Sequence, residues 1–188
     1  EIAQAEAAKA ELARVYAEVP FGLPTEPIDR YGKAGGSYGF PIITHGIDQW
    51  HKLFTPRQLV ALGSFVDVVR QVRDELAKYG YGAGEAEAIA AYLQCGFDRM
   101  LDFNSNILAW ITSVEAIGHT FVRFALPMNW DFSEAAPIND VRGGWWMCLD
   151  AVAESIETIL RATNPVAPVP KVLNQSAIKC PEAGAYDV

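Results

Sequence analysis

The chain has 188 residues, of which 51% are hydrophobic and 20% are charged, and its formal net charge is −8. This composition is typical of a globular protein and excludes an intrinsically disordered one. The basic residues are scattered, with Arg70 and Arg73 as the closest pair, so weak or no DNA binding is expected of this chain alone.

The first part of the chain predicts one helix followed by irregular structure. Residues 1–18 are rich in alanine and glutamate, and their apolar residues recur at helical spacing. Prolines and a glycine between residues 20 and 27 end this helix. The segment up to residue 50 is then expected to be irregular, with one short strand at residues 40–44.

The clearest local pattern is L-F-T-P-R-Q-L at residues 53–59. Thr55 is a good helix N-cap, Pro56 suits the first helical position, and Gln58 completes a capping box. We therefore predict a helix from Pro56 to about Tyr79, ended by the glycines that follow. The residues expected on its inward face are Leu59, Leu62, Val66, Val69 and Leu76.

Two further helices and two connecting segments follow. Apolar periodicity predicts helices over residues 85–103 and 145–162. The sequence Asn-Ser-Asn at residues 104–106 predicts a turn, and residues 107–118 predict a short helix with Ser113 as its N-cap. The residues expected to face inward from the last helix are Trp145, Leu149, Val152, Ile156 and Leu160.

The C-terminal part predicts a proline-rich linker and short strands over residues 172–178 and 186–188. The expected fold class is mainly α, with a helical domain over residues 1–164 and a small β fringe at the C-terminus, within residues 165–188. A helix at the first residue and a strand at the last one suggest a piece of a longer protein.

Residues 119–134 surround a few polar groups with aromatic side chains, a composition that suits either a buried junction or a binding pocket. Arg123 and Asp131 can form a buried ion pair, or they can face a substrate. Asn104 and Asn129 can each read an adenine edge through a bidentate amide contact, or they can cap turns. These four residues are the candidate substrate-binding residues.

Other features favour ordinary structural roles. The glycine-rich residues 35–39 lack the flanking strand and helix of a phosphate-binding loop and predict a mobile loop. His45, His51 and His119 match no metal-ligand spacing, so no metal site is expected. No complete catalytic signature is present, and no catalytic residue is predicted.

The cysteines and the hydropathy indicate the compartment. Cys95, Cys148 and Cys180 are far apart and form no Cys-x-x-Cys pair, which favours reduced cysteines and a cytoplasmic location. We see no signal peptide and no apolar run near the ~18 residues of a membrane span, so no membrane partner is expected.

Four stretches stand in order along the chain: G-L-P-T-E-P-I (22–28), L-F-T-P-R-Q-L-V-A-L-G-S-F (53–65), L-D-F-N-S-N (101–106) and F-V-R-F-A-L-P-M-N-W-D-F-S-E-A-A-P (121–137). Together they resemble the predicted adenine-specific DNA methylases that carry a zinc ribbon. In that family the S-adenosylmethionine-binding motif and the zinc ribbon lie upstream of this region. The catalytic D-P-P-Y motif follows a segment that resembles residues 172–181 and 186–188.

The resemblance implies that this chain is the middle region between the cofactor motif and the D-P-P-Y motif. Residues 165–188 would then be a linker and the first strand or strands of a truncated methyltransferase domain. The parent protein would use S-adenosylmethionine, whereas no cofactor is expected to bind this fragment, which is predicted to be inactive alone. The parent would contact DNA, and the fragment would contact the rest of the methylase chain.

Two functions follow as hypotheses. In the first, the chain is a fragment of an S-adenosylmethionine-dependent DNA adenine-N6 methyltransferase, and its helical domain is a target-recognition region or an interdomain insert. The alternative is a non-catalytic helical interaction module of a DNA defence or restriction complex. Exposed apolar surface at Trp146 and in residues 119–134 would favour this alternative.

Overall fold

The computed structural model describes residues 2–28, 41–122, 126 and 128–163. This part of the chain contains four α-helices: α1 (Ile2–Glu18), α2 (Pro56–Lys78), α3 (Ala83–Asp102) and α4 (Trp145–Ala162). They pack in chain order, with α1 on α2, α2 on α3 and α3 on α4. A two-stranded antiparallel sheet, β1 (Trp110–Ile111) and β2 (Ala116–Ile117), completes the fold. The predicted mainly α class with a small β component is confirmed.

The start of α2 follows the predicted capping box. The backbone N–H of Gln58 donates to Thr55 Oγ1 at 3.2 Å, and the backbone N–H of Thr55 donates to Gln58 Oε1 at 2.7 Å. These contacts satisfy backbone donors that have no partner inside the helix. The helix ends at Lys78, and Gly80 then adopts a φ of 86°, which favours glycine.

The main core lies where α2, α3 and α4 meet the turn that follows α3. The α3 and α4 helices approach each other at Gly96, where an added Cβ would be in ordinary van der Waals contact, 3.6 Å from a Leu149 methyl group. On α4, the Trp145 ring packs on Phe65 with centroids 5.2 Å apart. The buried residues of this core are Leu62, Phe97, Met100, Phe103, Leu108, Ile117, Ala135 and Cys148.

The helix predicted over residues 107–118 is wrong. In its place Trp110 pairs with Ile117 and Ile111 with Ala116 in the small sheet, and Ser113 lies in the connecting turn. The segment is rich in β-branched and aromatic residues, which favour strands. Glu115 in the turn has a φ of 48°, which a helix does not contain.

The strand predicted at residues 40–44 is also wrong, because Pro41–His45 forms a 3₁₀ helix, and Trp50–Leu53 forms a second one. The two pack over a smaller core that contains Ile28, Ile42, Leu53, Ile107 and Leu126. Proline supplies no N–H donor, so a start at Pro41 suits a helical turn better than a sheet ladder. An antiparallel β-bridge between Pro27 and Gln49 attaches the end of the segment that follows α1 to the residues between the two 3₁₀ helices.

One residue of α4 departs from its predicted direction. Leu160 was expected to face inward but is 69% exposed, and Ile159 beside it is 63% exposed. In the described residues the first half of α4 packs on α3, through Trp145 and Leu149. The last turn of α4 extends past that contact. The glycine-rich residues 35–39, Arg123, Cys180 and the strands predicted after residue 165 lie outside the described residues.

None of the helices in the described ranges combines the length and the hydropathy needed to cross a membrane.

Candidate functional site

The candidate site is the junction where the end of α3 meets residues 118–122 and 128–144, and Asp102 is its organising residue. Asp102 Oδ2 lies 2.5 Å from His119 Nδ1, and Asp102 Oδ1 accepts from the backbone N–H of Phe121 at 2.7 Å. The Asp102 carbonyl accepts from the backbone N–H of Thr120 at 2.8 Å. As the last helical residue, Asp102 has a carbonyl without a partner inside α3. One residue therefore holds three consecutive residues against the end of the helix.

Two buried hydroxyl groups reinforce this attachment. Thr120 Oγ1 lies 2.7 Å from the Asp102 carbonyl oxygen and 2.8 Å from Ser105 Oγ. Ser105 Oγ also accepts from the backbone N–H of Ile107 at 3.3 Å. Buried hydroxyls are costly unless they are hydrogen-bonded, and both hydroxyls here have partners. They link the turn after α3 to the segment around His119.

Asn104 is buried in the same turn, with only 1% of its surface exposed. Its Nδ2 donates to the carbonyl of Met100 at 2.7 Å and to the carbonyl of Gly143 at 3.1 Å. The turn-capping alternative for Asn104 matches these contacts, since both amide hydrogens point to backbone carbonyls. Its Oδ1 is buried without a hydrogen-bond partner in the described part of the chain.

The ring of Phe103 is covered by three side chains that can carry positive charge. The His119 ring centroid lies 4.2 Å from that of Phe103, at an interplanar angle of 40°. The guanidinium carbons of Arg142 and Arg99 lie 5.5 Å and 6.0 Å from the Phe103 centroid. Cations at these distances are attracted to the electron-rich face of an aromatic ring. The junction thus binds two arginines without burying their charge.

Two other predicted site residues lie at the opposite edge of the junction, where they attach residues 128–131 to the turn and the hairpin. Asn129 Nδ2 donates to the Ile107 carbonyl at 2.8 Å. Asp131 Oδ2 accepts from the backbone N–H of Trp110 at 3.3 Å. Arg123 lies outside the described residues, so its pair with Asp131 stays a prediction. The three described candidates all contact backbone groups, and none of these contacts joins one candidate to another.

Three of the four stretches quoted above meet at this junction, and the first packs beside it. The backbone N–H of Asn106 donates to the Leu53 carbonyl at 2.6 Å, which joins the turn after α3 to the start of α2. Arg57 forms a two-pronged ion pair with Glu134, which joins α2 to residues 128–137. Ile28, Leu53 and Leu126, from the first, second and fourth stretches, share the smaller core. Stretches far apart in sequence therefore form one packed unit.

Several large apolar side chains remain exposed around the junction. Trp130 is 75% exposed and lies nearly perpendicular to the His45 ring, with centroids 5.2 Å apart. Phe132 and Trp146 are 57% and 55% exposed. Contiguous exposed apolar surface favours an interaction site, and Trp130 and Phe132 are two residues apart in sequence.

A separate cleft of about 360 Å³ lies among α1, α2 and α3. Its lining carries both signs of charge, including Arg70 and Arg73 on α2 with Asp67, Asp74 and Glu18 opposite or beside them. Arg73 also forms an ion pair with Asp74 at 3.5 Å. The cleft shares no lining residue with the junction, and its mixed charge offers no basic patch for DNA.

Sequence reasoning missed the most connected residues of the junction. The sequence predicts no role for Asp102, and His119 is grouped with the histidines that match no metal-ligand spacing. A usable signal was present, because Asp102 lies within L-D-F-N-S-N and His119 begins the aromatic stretch at residues 119–134. Asp102 and His119 are 17 residues apart in sequence, and helical periodicity does not predict a contact over that separation.

The side chains of the junction limit the chemistry that it can perform. Within the described ranges no group of three or more His, Cys, Asp and Glu side chains is arranged to hold a metal ion. Cys148 is buried beside the junction, and burial raises the pKa of its thiol, which disfavours a thiolate nucleophile. The Asp102 carboxylate lies 2.5 Å from the His119 imidazole and orients it, and the His119 side chain is 34% exposed.

Comparison of the chain with protein-family models, with curated proteins and with solved structures finds no match. The resemblance to the methylase family therefore stays a prediction from the four stretches.

Proposed function

We propose that this chain is the middle helical region of an S-adenosylmethionine-dependent DNA adenine-N6 methyltransferase. Its role there is to hold the cofactor-binding and catalytic parts of the parent protein in place. The observation that carries the proposal is that the four family-like stretches pack against one another in one unit. Parts of one inherited unit are expected to pack in this way.

The contacts inside the junction support a packing role over direct catalysis. The side chains of Asn104, Asn129 and Asp131 all contact backbone groups of the turn and the hairpin. Arg57 and Glu134 lock the start of α2 to the same segment. In this proposal the reaction uses the cofactor motif and the D-P-P-Y motif of the parent, and the junction supplies a rigid connection between them.

The net charge of −8 is consistent with a chain that packs against the rest of the parent protein and does not itself provide the main DNA surface. DNA binding depends largely on basic side chains that neutralise phosphates. A middle region with this charge suits contact with the remaining methylase chain, while the parent supplies the main DNA surface.

Calorimetric titration with S-adenosylmethionine tests the proposal at two levels. The isolated chain is expected to bind no cofactor, whereas the complete protein that contains it is expected to bind with a dissociation constant in a measurable range. Micromolar binding by the isolated chain would contradict the proposed middle region. Flanking coding sequence without a glycine-rich cofactor motif upstream and D-P-P-Y downstream would contradict the enzyme.

We also propose a second function, because the exposed aromatic side chains favour it: a non-catalytic helical interaction module of a DNA defence or restriction complex. Trp130, Phe132 and Trp146 are each more than half exposed. A surface of this kind is more useful for binding another protein than for a reaction, since aromatic residues dominate the energetics of protein interfaces.

Binding of the apolar dye ANS tests this second proposal. Trp130→Ser with Phe132→Ser is expected to lower the dye fluorescence of the folded chain clearly. Tyr79→Ser is the matched control, because Tyr79 is 79% exposed at the end of α2, away from the junction. Equal fluorescence in all three proteins would contradict a docking surface at residues 130–132.

A further inference from the structure

The exposed aromatic residues near the hairpin form an acidic surface as well as an apolar one. We call it the hairpin surface, and it consists of Trp110, Val114, Glu115, Trp130, Asp131 and Phe132. Within it Trp110 is 46% exposed, Trp130 75% and Val114 58%. It shares no residue with the Asp102 contacts.

One hydrogen bond joins the two halves of the hairpin surface. Asp131 Oδ2 accepts from the backbone N–H of Trp110 at 3.3 Å, which brings residues 130–132 beside β1. The pairing of Trp110 with Ile117 then places the turn at residues 112–115 next to them. Glu115 in this turn has a φ of 48°, a conformation that non-glycine residues rarely adopt and that is concentrated at functional sites.

The charge of the hairpin surface is of one sign. Residues 104–122 and 128–141 contain no lysine or arginine, whereas Arg123 lies outside the described residues and Arg142 lies over the Phe103 ring. Arg57 approaches from α2, but it pairs with Glu134. Glu115 and Asp131 are exposed and have no ion-pair partner in the described residues. This charge disfavours nucleic acid, whose phosphates are negative, and a second copy of this chain, whose net charge is also −8.

We infer that the hairpin surface binds a partner polypeptide that presents lysine and arginine side chains. Exposed tryptophan rings attract such cations through their faces, and guanidinium groups bind them best among protein side chains. Glu115 and Asp131 add ion pairs at the rim of the same patch. The inference rests on the proposed docking role of the chain and names the chemistry of its partner.

Fluorescence anisotropy with a labelled peptide of alternating arginine and glycine tests the inference at physiological salt. The full chain is expected to bind this peptide and not a glutamate–glycine peptide of equal length. Trp130→Ala and Trp110→Ala are each expected to weaken binding roughly three- to fivefold, as a lost cation–π contact predicts. Glu115→Gln and Asp131→Asn, which keep the shape of the side chain, are expected to weaken it to a similar extent.

Two control variants separate a defined surface from general attraction to an acidic protein. Tyr79→Ala removes an exposed aromatic side chain, and Glu154→Gln removes an exposed negative charge on α4, both away from the hairpin surface. Both are expected to bind the peptide as the unmodified chain does. Weakening by Glu154→Gln equal to that by Glu115→Gln would overturn the inference.

Three other results would also overturn it. The first is that the chain does not bind the peptide although Trp130→Ser with Phe132→Ser still lowers the ANS fluorescence. The second is that duplex DNA binds more tightly than the basic peptide. The third is that the chain forms a dimer that Trp130→Ala abolishes. The first of these would leave the docking proposal standing, so failure of the two can be told apart.

Discussion

Asn104 shows how one buried side chain stabilises the junction. Its amide donates to carbonyls of Met100 and Gly143, and the second contact spans 39 residues. We expect Asn104→Ala to lower the free energy of unfolding by about 1–3 kcal/mol, since the Gly143 carbonyl would lose its side-chain donor in a buried site. Urea denaturation measures this change.

Asn139→Ala provides the control, because Asn139 is exposed and is expected to change stability by less than about 0.5 kcal/mol. A loss for Asn104→Ala no larger than that of the control would mean that the turn does not depend on this side chain.

Tyr16 on α1 is a second residue whose burial has a measurable consequence. Burial raises the pKa of Tyr16 to about 12, from about 10 in an unfolded chain. Between these values the unfolded chain releases the phenol proton first, so the contribution of Tyr16 to stability is complete below about pH 10 and falls as the pH rises toward about 12. Comparing urea denaturation of the unmodified chain and Tyr16→Phe from pH 9 to 11.5 measures it.

The difference in unfolding free energy between these two proteins is expected to move in favour of Tyr16→Phe as the pH rises. A difference that stays constant over the whole range would show that the phenol is equally accessible in the folded and unfolded states.

At the scale of elements, α1 and α2 make their closest approach at Gly63. A Cβ at this position would lie 2.6 Å from Val15 Cγ1 and 3.0 Å from the Tyr16 ring. We expect Gly63→Val to destabilise the chain by about 1–3 kcal/mol, because the added volume forces the two helices apart. Thermal or urea unfolding checks the magnitude.

Gly84→Val is the matched control in α3, since nothing lies within 4 Å of a Cβ placed there. Replacing glycine in a helix with valine gains about 0.5 kcal/mol of intrinsic propensity at either position, so the difference between the variants reports the packing at Gly63. Equal stabilities would contradict the close α1–α2 contact.

The helices were predictable from the sequence because their signals are local. Thr55, Pro56 and Gln58 fix the start of α2 through contacts within three residues. The hairpin at residues 110–117 was not predictable in this way, since eight residues are too few for periodicity to separate a helical turn from two short strands. The prediction that Leu160 faces inward is wrong for a related reason. The apolar pattern of α4 does not show at which residue α3 stops covering this helix.

At the scale of the whole molecule, the candidate site depends on contacts that no local pattern contains. The sequence indicated Asn104, Asn129 and Asp131 as polar residues in an aromatic setting. Asp102 and residues 119–121 lie in stretches that the sequence singles out, but no local pattern pairs Asp102 with these residues or Arg57 with Glu134 across 77 residues. Only the packing of α3 against the later segment brings these groups together, which is why the junction emerged from the structure alone.

The proposed function is likewise a statement about the whole protein, and transfer of a labelled methyl group tests it most directly. The complete protein that contains this chain is incubated with duplex DNA and S-adenosylmethionine carrying a deuterated methyl group, and the digested bases are analysed by mass spectrometry. Labelled N6-methyladenine from the complete protein, and none from this chain alone, is the predicted result. If the complete protein binds S-adenosylmethionine but leaves the adenine of the DNA unlabelled, or labels cytosine instead, the proposed function is contradicted.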